Sequence, residues 1–110
     1  MTGTSQKIAY TVRATHPDRA SADRYLAWLL EGHLQAVLQG GALRGSAVEL
    51  DQGSGTIVIE ARYLFGSQAE FNQYVSDTAP KLRAEGLALF GVGTGISFHR
   101  SVGLHHEVAV

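Results

Sequence analysis

The chain has 110 residues, 45% hydrophobic and 17% charged, the balance of one globular domain spanning 1–110 with an ordered core over 8–104 and polar ends. Its net charge of −1, with no basic block or stripe, argues against nucleic acid as the main partner, because phosphate binding needs clustered Lys and Arg. The absence of cysteine removes disulfides, thiolate metal sites and Cys nucleophiles. The opening "MTGTSQK" is polar and no apolar run follows, which predicts no signal peptide, no membrane span and, by default, a cytoplasmic location.

"KIAYTVRAT" alternates, with Ile8, Tyr10, Val12 and Ala14 on one face, and so predicts a half-buried strand. "HPD" stops it, and Asp18 or Ser21 can cap the helix that follows. That helix runs to Gly40-Gly41, where a left-handed residue is easily placed. On a helical wheel Tyr25, Leu26, Leu29, Leu30, Ala36 and Val37 form one apolar face, and His33 falls in its middle. Trp28 lies off that centre line, toward Glu31 and Gln35.

Leu43–Asp51 reads as a second strand and "QGSG" as a turn. "TIVIEARYLF" is the strongest strand pattern, with Ile57, Ile59, Ala61, Tyr63 and Phe65 on one face; it pairs with the second strand as a hairpin. Ser67 and Glu70 form a capping box, and Phe71, Tyr74, Val75 and Thr78 give the next helix its inner stripe. Pro80 fits a first turn better than a helix interior, so this second helix breaks there and a short helix carries Leu82 and Leu89 to Phe90. "GVGTG" precedes a strand, the wrong order for a dinucleotide-binding loop. "ISFHRSVGL" is the last strand, with Ile96, Phe98, Arg100 and Val102 in phase.

The order β-α-β-β-α-β is satisfied by a four-stranded antiparallel sheet with both helices on one face. The other face carries Thr11, Arg13, Glu60, Arg62, Leu64, His99 and Ser101, mixed with Val58 and small residues. It either meets water or is buried when two sheets pack in a homodimer, with Arg13, Glu60 and Arg62 as paired charges and His99 in the interface.

His33 and Arg100 are two polar residues where apolar ones are expected, on different elements, both aimed at the helix–sheet layer. The functional reading is a pocket: His33 as base or donor, Arg100 as binder of a carboxylate, phenolate or enolate, and Tyr10, Tyr25, Trp28 and Tyr63 as walls around a small aromatic or polar-headed apolar ligand. The structural reading makes His33 and Arg100 buried polar residues satisfied inside the fold. His16, before Pro17, reads as a loop residue without chemistry, and His105-His106-Glu107 as a solvated tail rather than a metal site. No serine lies in a nucleophile elbow, and no cofactor-binding motif is present.

Tyr25-x-x-Trp28-x-x-x-x-His33, Ala79-Pro80-x-Leu82-Arg83-x-x-Gly86-Leu87 and Phe98-x-Arg100 resemble the pattern of a family of small bacterial proteins of unknown function. The resemblance spans Ile8 to about Leu104 and implies a ferredoxin-like fold of the dimeric α+β barrel superfamily, related in fold to antibiotic-biosynthesis monooxygenases. It departs at Tyr25, usually tryptophan, at Leu29, usually methionine, and at Thr78, usually histidine. The superfamily implies a site between helices and sheet and several functions. Its members include cofactor-free monooxygenases, haem-degrading enzymes, polyketide cyclases and proteins without known activity. For this chain the residues leave three readings: a small-molecule-binding dimer, cofactor-independent monooxygenase- or isomerase-like; a non-catalytic structural or regulatory dimer; or a haem-binding protein ligated by His33.

Overall fold

The computed structural model describes residues 6–50, 52–53 and 55–108. Its elements are β1 (Ile8–His16), α1 (Arg19–Trp28), a π-turn (Leu29–His33), α2 (Leu34–Gln39), β2 (Arg44–Leu50), β3 (Ile57–Phe65), α3 (Gln68–Asp77), α4 (Ala79–Phe90) and β4 (Ser97–Leu104). The strands order as β2-β3-β1-β4, every pair antiparallel. This is the predicted βαββαβ arrangement. The break near Pro80 is present between α3 and α4. Asp51, predicted to end the second strand, lies outside the described residues.

Strand alternation sorts the side chains. Ile8, Tyr10, Ala14, Ile59, Tyr63 and Phe65 are buried on the helix side, where Leu29, Val37, Phe71 and Leu82 meet them. Register places Tyr10 between Tyr63 and Val102, and Val12 opposite Arg100. The helix starts follow their caps. Asp18 accepts a 2.8 Å hydrogen bond from the Ser21 N–H, and Ser67 accepts one of 3.1 Å from Glu70. The capping box is half formed: the Glu70 carboxylate lies over Gly66 instead of returning to the Ser67 N–H.

The first helix departs from a single α-run. The Leu34 N–H reaches back five residues to the Leu29 carbonyl, and Gly32 leaves helical geometry (φ 167°, ψ −30°). Glycine is a poor helix former, and the extra residue of a π-turn rotates everything after it relative to an ideal wheel. Leu30, expected on the apolar face, is therefore 63% exposed. Leu89 is likewise exposed rather than inner. His16 is no loop residue: it ends β1, is buried, and bonds through Nδ1 to the Ser21 hydroxyl at 2.9 Å.

On the opposite sheet face Glu60 is buried between Arg13 and Arg62, at 2.8 Å from each guanidinium. His99 stands in register beside Arg13 and is exposed in the single chain.

Candidate functional site

A cavity of about 230 Å³ opens between the sheet and the helices. It is lined by Tyr10 from β1, Tyr25 and Trp28 from α1, His33 from the π-turn, Tyr63 from β3 and Arg100 from β4. All six residues singled out from the sequence thus meet in one place. The structure adds Tyr74 from α3 and Leu82, Arg83, Gly86, Leu87 and Phe90 from α4.

The walls are aromatic. The Tyr10 and Tyr63 rings stack at 5.8 Å, while Phe90 presents to Tyr25 and Trp28 edge-on, 5.3 Å from each. Trp28 stacks on His33 at 4.1 Å with planes 20° apart. That stack needs Gly86: a Cβ there would stand 3.3 Å from Trp28 Cη2. Trp28, His33, Leu82 and Phe90 also form the inner edge of an outer groove of about 500 Å³, whose other side carries Arg24, Glu31 and Glu85.

Burial lowers the His33 pKa to about 4, against an opposing pull from the Glu85 charge, so the imidazole is neutral at pH 7. It makes no side-chain hydrogen bond among the described residues. Burial pushes the Tyr25 and Tyr74 hydroxyls up to about 12 and Tyr63 further, so all three remain neutral donors. Arg83 Nη2 donates to the Tyr10 hydroxyl at 3.4 Å. Among the described residues Arg100 holds no carboxylate, and no acidic side chain lines the cavity.

Arg83 is the functional candidate that sequence reasoning missed. It follows Leu82 on a short helix and reads as a solvated position; its signals are its place in the Ala79-Pro80-x-Leu82-Arg83-x-x-Gly86-Leu87 motif and the four-residue step to Leu87. Thr78, the departure from the family pattern, lies outside the cavity and packs against Gly40. His105 pairs with Glu107 at 2.9 Å, and among the described residues no group of three or more His, Cys, Asp or Glu is placed to hold a metal. No described helix is long and apolar enough to cross a membrane.

Topology and layer order define a ferredoxin-like α+β protein. A dimeric ferredoxin-like protein from an uncultured marine organism superposes with a TM-score of 0.70 at 15% identity, covering 94% of this chain and 100% of that one. SnoaB, a cofactor-independent oxygenase from Streptomyces nogalater, superposes at 0.60 with 9% identity over 94% and 97% of the two chains. The de novo designed protein Foldit4 reaches 0.61 at 10% identity over 92% and 100%. One fold thus serves an oxygenase and a design, and so does not specify a reaction. No curated protein matches the sequence. The model of the domain of unknown function DUF4286 matches residues 7–101, and the chain belongs to that family.

Proposed function

We propose that the protein is a homodimer that binds a small aromatic or polar-headed apolar molecule between its helices and sheet. In this reading it abstracts a proton from that molecule, the step shared by cofactor-independent oxygenases and isomerases. His33 is the base, Arg100 stabilises the phenolate or enolate, and Tyr10, Tyr25, Trp28 and Tyr63 form the walls.

One observation carries this reading: His33 faces the cavity neutral and without a hydrogen-bond partner among the described residues. Structural histidines are normally satisfied inside the fold, as His16 is on one nitrogen by Ser21. His33 is spare. Taking a proton leaves an imidazolium beside a new anion, with Glu85 across the groove, and both favour the charged ring. A volume of 230 Å³ suits one or two rings and is small for haem, which weighs against ligation through His33.

The dimer draws support from the uncovered sheet face and from the dimeric ferredoxin-like proteins of the same fold. Its partner surface would be Arg13, Glu60, Arg62 and His99, with Glu60 already paired to both arginines within each chain.

The test is deuterium exchange. In D2O, NMR would follow exchange at the acidic C–H of one- and two-ring hydroxyketones. The wild type is expected to catalyse exchange, and His33→Ala to bind the same compound without doing so. Full exchange and unchanged affinity in His33→Ala would defeat the proposal.

A further inference from the structure

Arg83 projects from α4 and Arg100 from β4, and both are exposed while lining the cavity. They therefore stand where it opens to solvent, one on the helix layer and one on the sheet. Leu87, also exposed, lies one turn from Arg83. Behind them Tyr10, Tyr25 and Tyr63 are almost fully buried. Charge is thus gathered at the opening and aromatic surface inside.

Arg13 and Arg62 hold Glu60, and Arg19 holds Glu49. Among the described residues four arginines hold no carboxylate, Arg24, Arg44, Arg83 and Arg100, and of these only Arg83 and Arg100 line the cavity. Arg83 has only a long contact to the Tyr10 hydroxyl, 3.4 Å, which a better acceptor would replace. Tyr74 lies within electrostatic reach of both arginines. Two cations sharing one mouth repel, and a single anionic group between them removes that repulsion and gains charge-assisted hydrogen bonds.

We propose that the ligand is an aromatic carboxylate that enters ring first and leaves its carboxylate between Arg83 and Arg100. This rests on reading the cavity as a binding site. It makes Arg83 a second anion-binding residue and fixes the ligand's direction. Arg83, Gly86, Leu87 and Phe90 line the cavity along one face of α4, and seven helical residues rise about 10 Å. That length of wall, with a volume of about 230 Å³, takes one or two fused rings behind the carboxylate. The far end lies beside Phe90, Trp28 and His33.

Calorimetry of the full chain with 2-naphthoate and with its neutral analogue 2-naphthamide tests the assignment. The carboxylate is expected to bind about tenfold or more tighter than the amide, the scale of one charge-assisted bond. Arg83→Gln and Arg100→Gln should each erase about that factor for the carboxylate and leave the amide unchanged. Both side chains are exposed and, among the described residues, free of ion pairs, so the fold survives either change, as circular dichroism would verify. Equal binding of both compounds, unmoved by the arginine substitutions, would overturn the clamp and leave the cavity reading standing. Weakening by Arg100→Gln alone would overturn the role of Arg83. Binding of neither compound would remove the cavity reading and the clamp with it.

Discussion

The imidazole of His33 lies flat against the indole of Trp28, ring centroids 4.1 Å apart and planes 20° from parallel. The indole helps exclude water from the ring, and that desolvation holds the His33 pKa near 4. Trp28→Ala should let water in and move the pKa up toward the ordinary 6.5, read by NMR titration of the ring. A pKa unmoved by the substitution would assign the shift to other walls.

The same shift gives the protein a pH signature. The unfolded chain protonates His33 near 6.5 and the folded chain near 4, so the unfolded state binds more protons between those values. Stability is full above about 6.5 and falls as pH drops toward about 4. His16, lowered chiefly by burial, acts in the same direction. Urea unfolding at stepped pH should show the slope, and His33→Gln should flatten it. A wild type equally stable throughout this window would contradict the assignment.

Gly86 sets the position of the indole. Gly86→Ala places a methyl carbon 3.3 Å from Trp28 Cη2 while removing a glycine from a helix. The helix gains about 1 kcal/mol, and the displaced ring offsets much of it. Thermal unfolding should therefore change little, while the emission of Trp28, the sole tryptophan in the sequence, shifts. An unchanged spectrum would mean that the ring does not depend on the glycine.

Two core positions report on the fold alone. Leu29, fully buried at the π-turn, should cost about 2–5 kcal/mol when cut to alanine. Ser21→Ala removes the one hydrogen bond to His16, whose Nε2 is already buried without a partner, and should cost about 1–3 kcal/mol. Chemical denaturation measures both, and a neutral Ser21→Ala would show that His16 finds another partner.

The sheet face makes its own prediction. Arg13→Glu sets a second carboxylate against the buried Glu60 and breaks the charge match on that face. Sedimentation velocity should show the wild type as a dimer and this variant shifted toward monomer. A monomeric wild type at micromolar concentration would remove the interface.

Strand parity made the sheet legible in the sequence: Tyr10, Tyr63 and Arg100 fall on the helix side because a two-residue period tolerates no ambiguity once the turns are placed. The helix wheel was less secure. It assumes a constant 100° step, and the π-turn at Leu29–His33 breaks that assumption, which turned Leu30 outward. His33 still reached the cavity, since it closes the turn itself. Arg83 stood in the family motif, but its role was not legible, because an arginine on a short helix looks solvated until the fold sets it and Arg100 on one cavity. His16 was misplaced by Pro17, which ends the strand one residue later than the "HPD" pattern suggested.

Trp28 emission offers the most direct measurement. The ring is the sole tryptophan and forms a cavity wall, so its fluorescence reports occupancy of this site. Titration with a panel of one- and two-ring aromatic carboxylates, phenols and neutral analogues should give a saturable change. Carboxylates should bind tightest, and Arg100→Gln should weaken them. Flat emission across the whole panel, from protein shown to be folded, would contradict the claim that this cavity is a ligand site.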